Sequence, residues 1–167
     1  ILVTGCKGRM GQAVIQAVER NPDTVVGAAI DLGDSLEDAL VKCDAVIDFT
    51  THQFSDELIA ACVKHGKAIV IGTTGHTADE LAKIRDAAKT LPVVHASNFS
   101  MGVNTLFWLT RKAAQILGDA FDLEVIEMHH RMKTDSPSGT ARRLVEILCE
   151  ETEVSYDKDT RHGRFGD

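Results

Sequence analysis

Five short apolar runs, separated by amphipathic stretches, constrain the fold of this chain more than any other feature. They are ILVT (1–4), VVGAAI (25–30), AVIDFT (45–50), AIVIGT (68–73) and PVVHAS (92–97). Runs that are apolar at consecutive positions suit strands buried on both faces. Helix-like segments lie between and after them, at 10–20, 35–42, 55–65, 78–89 and 102–117. In 78–89, Leu81, Ile84, Ala87 and Ala88 fall at helical spacing, while Asp79 and Lys83 stand at i and i+4, an attractive pair on an exposed face. Right-handed crossovers between such strands predict an α/β fold with a doubly wound parallel sheet.

The pattern changes after about residue 118. FDLEVIEMHH (121–130) alternates in part, with Phe121, Leu123 and Val125 on one face, and is expected to be a half-exposed strand. SGTARRLVEILCEE (138–151) places Ala141, Leu144, Val145 and Leu148 at helical spacing. The domain change falls between 100 and 120, with helix 102–117 as the joint, which gives a nucleotide-binding domain at 1–103 and part of a second, α+β domain at 104–167. One strand and one helix are too little for an independent domain, and the tail from Val154 is polar without a visible cap. The chain also opens inside an apolar run without a Met. It is therefore expected to be cut short at both ends.

Net charge is −7, which disfavours a nucleic-acid partner because phosphate neutralisation needs clustered Lys and Arg. Aromatic content of 5% is too thin for a base-stacking platform. No apolar run approaches the ~18 residues of a membrane span, so no membrane partner is expected. Cys6, Cys43, Cys62 and Cys149 are scattered without a C-x-x-C pair, which argues for free thiols in a reducing cytosol rather than a disulfide framework or a zinc site. His52, His65, His76 and His95 lack metal-ligand spacing and are read as structural or surface residues.

ILVTGCKGRMGQAV reads as strand, glycine turn, helix. Gly5, Gly8 and Gly11 form G-x-x-G-x-x-G, with the middle glycine one place later than in the usual Rossmann dinucleotide fingerprint. The logic is unchanged: glycines permit a tight turn and let the backbone, with the helix N-terminal amides, approach a pyrophosphate. Asp31, 20 residues after Gly11, ends the second strand, where a carboxylate can accept both ribose hydroxyls. Leu32 follows it and carries no charge for a 2′-phosphate, which leans the cofactor toward NADH. Lys7 or Arg9 could supply that charge, so NADPH stays open. Gly72, Thr73 and Thr74 end the fourth strand, and Ala96, Ser97, Asn98 and Phe99 the fifth. Open α/β sheets bind ligands at those ends, although Thr-Thr-Gly and Asn are also ordinary turn residues.

EVIEMHHRMKTDSPSGTA (124–141) has a density of titratable groups that packing alone does not need. Histidine is the usual general acid near neutrality, and a lysine supplies fixed positive charge or a proton. Ser138 is a plausible N-cap, after which the amides of Gly139 and Thr140 would meet an anion. With His129, His130, Arg131 and Lys133 upstream, an acidic chain carries one locally basic pocket suited to a small polycarboxylate. Neighbours on a regular strand face opposite sides, so His129 and His130 can share a site only if the strand ends or twists there.

The segment meets every fixed position of E-x-x-E-x-H-H-x-x-K-x-D-x-P-S-G-T-A, and VTGCKGRMG, DFT, IGTTG and NFSMGVN accompany it in order. On these residues the chain resembles the dihydrodipicolinate reductase (4-hydroxy-tetrahydrodipicolinate reductase) family over nearly its whole length. The resemblance implies an NAD(P)H-dependent step of diaminopimelate and lysine biosynthesis, in the cytoplasm, by a homotetramer. It implies His129 as proton donor, Lys133 as catalytic lysine, His130 in contact with substrate, and Gly139 and Thr140 on a substrate carboxylate. It assigns cofactor contacts to Gly5, Cys6, Lys7, Gly8, Arg9, Met10, Asp31, Gly72, Thr73, Thr74, Ala96, Ser97, Asn98 and Phe99. Family members carry a longer connection after the second strand and continue beyond RHGRFGD. Two other readings stand beside this one: a reductase of another amino-acid-derived imine, and a non-catalytic NAD(H)-sensing module, which would not need Lys133.

Overall fold

The computed structural model describes residues 1–133 and 136–163. The chain divides into two compact units, Ile1–Ser97 and Asn98–Asp167.

In the first unit, β1 (Leu2–Thr4), β2 (Ala28–Ile30), β3 (Ala45–Asp48), β4 (Ala68–Ile71) and β5 (Val93–His95) form one parallel sheet in the order β2-β1-β3-β4-β5. Helices α1 (Arg9–Arg20), α2 (Leu36–Leu40), α3 (His52–His65) and α4 (Ala78–Ala87) connect the strands. The sheet grows first from β1 to β2 and then, past β1, to β3, β4 and β5. Right-handed crossovers in opposite directions wind helices onto both faces. The reversal leaves a crevice at the C-terminal ends of β1 and β3, the usual ligand position in such sheets.

Each apolar run contains one strand, as expected, but the strands are shorter than the runs. Phe49 and Thr50, Gly72 and Thr73, and Ala96 and Ser97 leave the ladder to build the loops at that edge. Leu2, Leu40, Val46, Leu58, Ile69 and Ile71 are completely or nearly completely buried and form the core. Ser35 caps α2, and Thr77 with Glu80 forms a reciprocal capping box at α4. The Asp79–Lys83 pairing expected within α4 is not what forms. Lys83 bonds the Asp56 carboxylate on α3, and Asp79 adds only a longer-range field. A tertiary partner outcompetes the helix-local one.

The second unit holds α5 (Met101–Leu117), a short 3-10 turn at Gly118–Ala120, α6 (Gly139–Glu151) and α7 (Tyr156–Asp159). α5 and α6 pack together, burying Ala114, Ala141 and Ile147, while Arg111 on α5 bonds Glu150 and Glu151 on α6. The polar tail contains a helix the sequence did not reveal: Tyr156 on α7 lies under the Arg142 guanidinium, 5.3 Å from ring centroid to Cζ. The strand expected at 121–130 is absent. The segment runs without regular structure, with Phe121, Ile126 and Met128 exposed. A strand needs a neighbour for its amides and carbonyls, and among the described residues of this unit there is none. Among the described residues, no helix is long and apolar enough to cross a membrane.

Candidate functional site

The glycine loop joins β1 to α1 through a turn in which the Gly8 amide donates to the Gly5 carbonyl at 3.0 Å. Gly5 has φ of +67°. A Cβ on Gly11 would lie 2.1 Å from the Gly5 carbonyl oxygen and 2.8 Å from Cys6 Cα, so only glycine lets the helix sit this close to the turn. Gly8 is the N-cap of α1 and has no side chain to cap it, and the first turn holds no acidic residue. Its leading amides thus lack the side-chain acceptor that α2, α4, α5 and α6 each possess. Lys7, Arg9 and Met10 are exposed around this turn.

Asp31 follows β2 and closes on the same loop. Its carboxylate accepts the Lys7 amide at 2.8 Å and the Leu32 amide at 2.9 Å, and these bonds, Lys7 first, hold it below the usual carboxylate range. The group stays ionised, with lone pairs left for further donors. Leu32 is 99% exposed and adds no charge. Cys6 contributes only backbone: its amide donates to the Ile30 carbonyl at 3.0 Å. Uncapped amides, a glycine contact no Cβ allows, and an ionised carboxylate at the next strand end fit a dinucleotide's pyrophosphate and ribose.

Between these loops lies a group that sequence reading passed over. Asp48, at the end of β3, is 0% exposed. Its Oδ1 accepts the hydroxyls of Thr4 and Thr50, both at 2.6 Å, and its Oδ2 accepts the Thr73 hydroxyl at 2.6 Å. Three strand ends are tied to one carboxylate. The DFT tripeptide was its only signal. Gly72 is crowded in turn, since a Cβ there would fall 2.1 Å from the Phe49 ring. Thr73 is buried within the network, whereas Thr74 is exposed. Ala96 donates its amide to Ile71 at 3.3 Å. The chain passes from the first unit to the second between Ser97 and Asn98. Asn98 accepts the Ser100 amide at 2.8 Å, Ser100 caps α5, and Phe99 is partly exposed beside them.

In the second unit, the segment leading to α6 brings His129 and Ser138 to Glu127. The Glu127 carboxyl accepts the Ser138 amide at 2.9 Å. Its pKa lies below the usual range, through the Ser138 hydroxyl first, then the Ser138 amide, with the charges of His129 and Lys133 adding to them. His129 Nδ1 lies 3.4 Å from Glu127 Oε2. His130 Nδ1 receives the Met132 amide at 3.2 Å, and its carbonyl receives the Lys133 amide at 3.1 Å. The chain turns at 130–133 rather than running on as a strand, so strand alternation does not force the two histidines to opposite faces. Ser138 is the N-cap of α6 and accepts the Ala141 amide at 3.0 Å. Gly139 and Thr140 thus hold the first two helical positions, whose amides have no intrahelical acceptor. Asp135, a fixed position of the motif, lies outside the described residues.

The histidines of the first unit have structural partners: His52 with Glu80 at 3.0 Å, His65 with Glu37 at 2.5 Å, and His76 with Ser55 at 2.8 Å. His95 stacks edge-on against His76. Among the described residues no group of His, Cys, Asp and Glu could hold a metal ion. Burial pushes the Cys62 thiol up to about 12, so it stays protonated and inert.

The family model "Dihydrodipicolinate reductase, N-terminus" matches residues 1–99, and "Dihydrodipicolinate reductase, C-terminus" matches 102–164. A 4-hydroxy-tetrahydrodipicolinate reductase of Akkermansia muciniphila is 57% identical over 99% of this chain and 68% of its own length. One of Anaeromyxobacter dehalogenans is 40% identical over 100% of this chain and 72% of its own. Among solved structures, the dipicolinate-bound dihydrodipicolinate reductase of Paenisporosarcina sp. TG-14 superposes with a TM-score of 0.78 at 28% identity, covering 99% of this chain and 69% of that one.

Proposed function

Since the chain belongs to the dihydrodipicolinate reductase family, we propose that it reduces a cyclic imine dicarboxylate, 4-hydroxy-tetrahydrodipicolinate or its dehydrated form, to tetrahydrodipicolinate in diaminopimelate and lysine biosynthesis. The observation that carries this reading is that Glu127 accepts the Ser138 N-cap amide of α6 and lies 3.4 Å from His129 Nδ1, with the Lys133 charge acting on the same carboxylate.

Gly5, Cys6, Lys7, Gly8, Arg9 and Met10 hold the pyrophosphate of NADH or NADPH, and Asp31 the adenosine ribose. Gly72, Thr73, Thr74 and Ala96 to Phe99 line the nicotinamide side. A reduced nicotinamide bound there supplies the hydride. His130, Lys133 and the Gly139 and Thr140 amides bind the two carboxylates of the substrate, the amides by the favourable meeting of an anion with a helix N-terminus. Lys133 also offsets the negative charge that builds on the ring as hydride arrives. His129 gives one proton from its ring to the reduced substrate. One hydride and one proton are added to the dehydrated ring, one water having left where the 4-hydroxy form is the substrate, and the imidazole is reprotonated from solvent. General acid catalysis of this kind contributes about 10² to 10⁴ in rate.

Asp31 and the uncharged Leu32 lean the site toward NADH, while Lys7 and Arg9 keep NADPH within reach. The enzyme works as a homotetramer in the cytoplasm. Trp108, Ile116 and Met128, all exposed in the second unit, suit a surface that a neighbour covers. The test feeds the condensation product of pyruvate and aspartate semialdehyde to the full chain and follows oxidation of each cofactor at 340 nm. Loss of absorbance that depends on the imine supports the reading. Tight cofactor binding with no oxidation would leave a nucleotide sensor instead.

A further inference from the structure

Glu127 counts in the sequence only as one more acid in E-x-x-E-x-H-H. Its two oxygens have different surroundings. Oε1 accepts the Ser138 amide at 2.9 Å, and the nearby Ser138 hydroxyl is the largest influence holding the carboxyl's pKa down. Ser138 is 5% exposed and is locked by its own cap contact to Ala141. Oε2 is buried and, among the described residues, has no hydrogen-bond partner. Nδ1 of His129 lies 3.4 Å from it. A buried carboxylate oxygen that lacks a donor is uncommon in folded proteins, and its neighbour is a ring nitrogen able to provide one.

We propose that Glu127 is the positioning residue of the proton donor. It accepts the Nδ1 hydrogen of His129, fixes the ring's tautomer, and ties that ring through Ser138 to the helix end that binds the substrate carboxylate. This rests on the reading of His129 as the donor. When His129 is protonated, Nδ1–H is held by the anion and Nε2 carries the transferable proton. Donation breaks the Nε2–H bond and forms a bond from that hydrogen to the substrate. The Nδ1–H bond to Glu127 stays intact, and solvent returns a proton to Nε2. A carboxylate behind a catalytic imidazole works this way in other enzymes, by holding the ring in the productive tautomer. The closing shift needed is small, from 3.4 Å to the ~2.8 Å of a charge-assisted hydrogen bond.

A purely structural role is the alternative, with Glu127 serving only to cap α6. Glu127→Gln separates the two, because its amide oxygen still accepts the Ser138 amide while its NH₂ cannot accept from Nδ1. The expected result is a fall in kcat of about 10- to 100-fold with KM within about twofold, and an unchanged melting temperature. Glu127→Ala should lose both activity and thermal stability. Nitrogen NMR of His129, at a pH where the ring is neutral, should find the hydrogen on Nδ1 in the parent chain and on Nε2 in Glu127→Gln. Unchanged kcat in Glu127→Gln, or the same tautomer in both chains, overturns the proposal. The spectrum is read whether or not the chain turns over the imine, so failure of the reductase reading and failure of this pairing register separately.

Discussion

Asp48 accepts the Thr73 hydroxyl at 2.6 Å across the ends of β3 and β4, and the same carboxylate takes the hydroxyls of Thr4 and Thr50. Every donor in this buried set is aimed at an anion. Asp48→Asn replaces one acceptor oxygen with a donor and leaves hydroxyls facing an amide hydrogen. The cost should be about 1–3 kcal/mol in urea unfolding, the usual penalty for an unsatisfied buried polar group. Cofactor affinity should fall as well, because Thr50 packs against Gly5, with only 3.0 Å between its methyl and a Cβ built on that glycine. An Asn variant of unchanged stability would show that the network carries no load.

The glycine loop predicts an order of tolerance. Gly11→Ala drives a methyl to 2.1 Å from the Gly5 carbonyl oxygen, whereas Gly8→Ala reaches only 3.2 Å from the same atom. Titration by NADH fluorescence should find Gly11→Ala at least about tenfold weaker, roughly 1.4 kcal/mol, and Gly8→Ala less affected. Equal affinities would contradict the close contact of α1 with the turn.

Glu80 links stability to pH. It accepts the Thr77 amide at 2.6 Å and meets His52 Nδ1 at 3.0 Å. The His52 bond first, then the Thr77 amide, bring its pKa from 4.5 to about 2. The folded value lies below the unfolded one, so the stabilisation is complete above 4.5 and disappears as pH falls toward about 2. The stability gap between the parent and Glu80→Gln, measured by urea unfolding, should be present at neutral pH and narrow below 4.5. A gap that widens on acidification contradicts the assignment.

What could be read in the sequence follows from where the decisive contacts lie. The parallel sheet was legible because burial on both faces forces consecutive apolar residues, and the adjacent buried Leu2 and Val3 of β1 display that directly. The glycine loop was legible because the backbone clash that Gly11 avoids is local, with Gly5 and Cys6 in the same turn. Residues 121–130 misled because alternation at Phe121, Leu123 and Val125 specifies a face but not a partner strand. Lys83 misled because helical spacing offers Asp79, while the fold brings Asp56 closer. Asp48 and Glu127 each act through residues distant in the chain, Thr4 and Thr73 for one and Ser138 for the other. Neither pairing leaves a periodic trace. His129 and Lys133 stood out through the density of titratable groups and the motif they belong to, and the turn at 130–133 needed coordinates.

The most direct test of the account is steady-state kinetics of the full chain and its His129→Gln variant with the imine dicarboxylate and NADH, with kcat and KM resolved. If His129 donates the proton, kcat falls about 10²- to 10⁴-fold while KM for the imine stays within about threefold. A variant that keeps the parent's kcat contradicts the account.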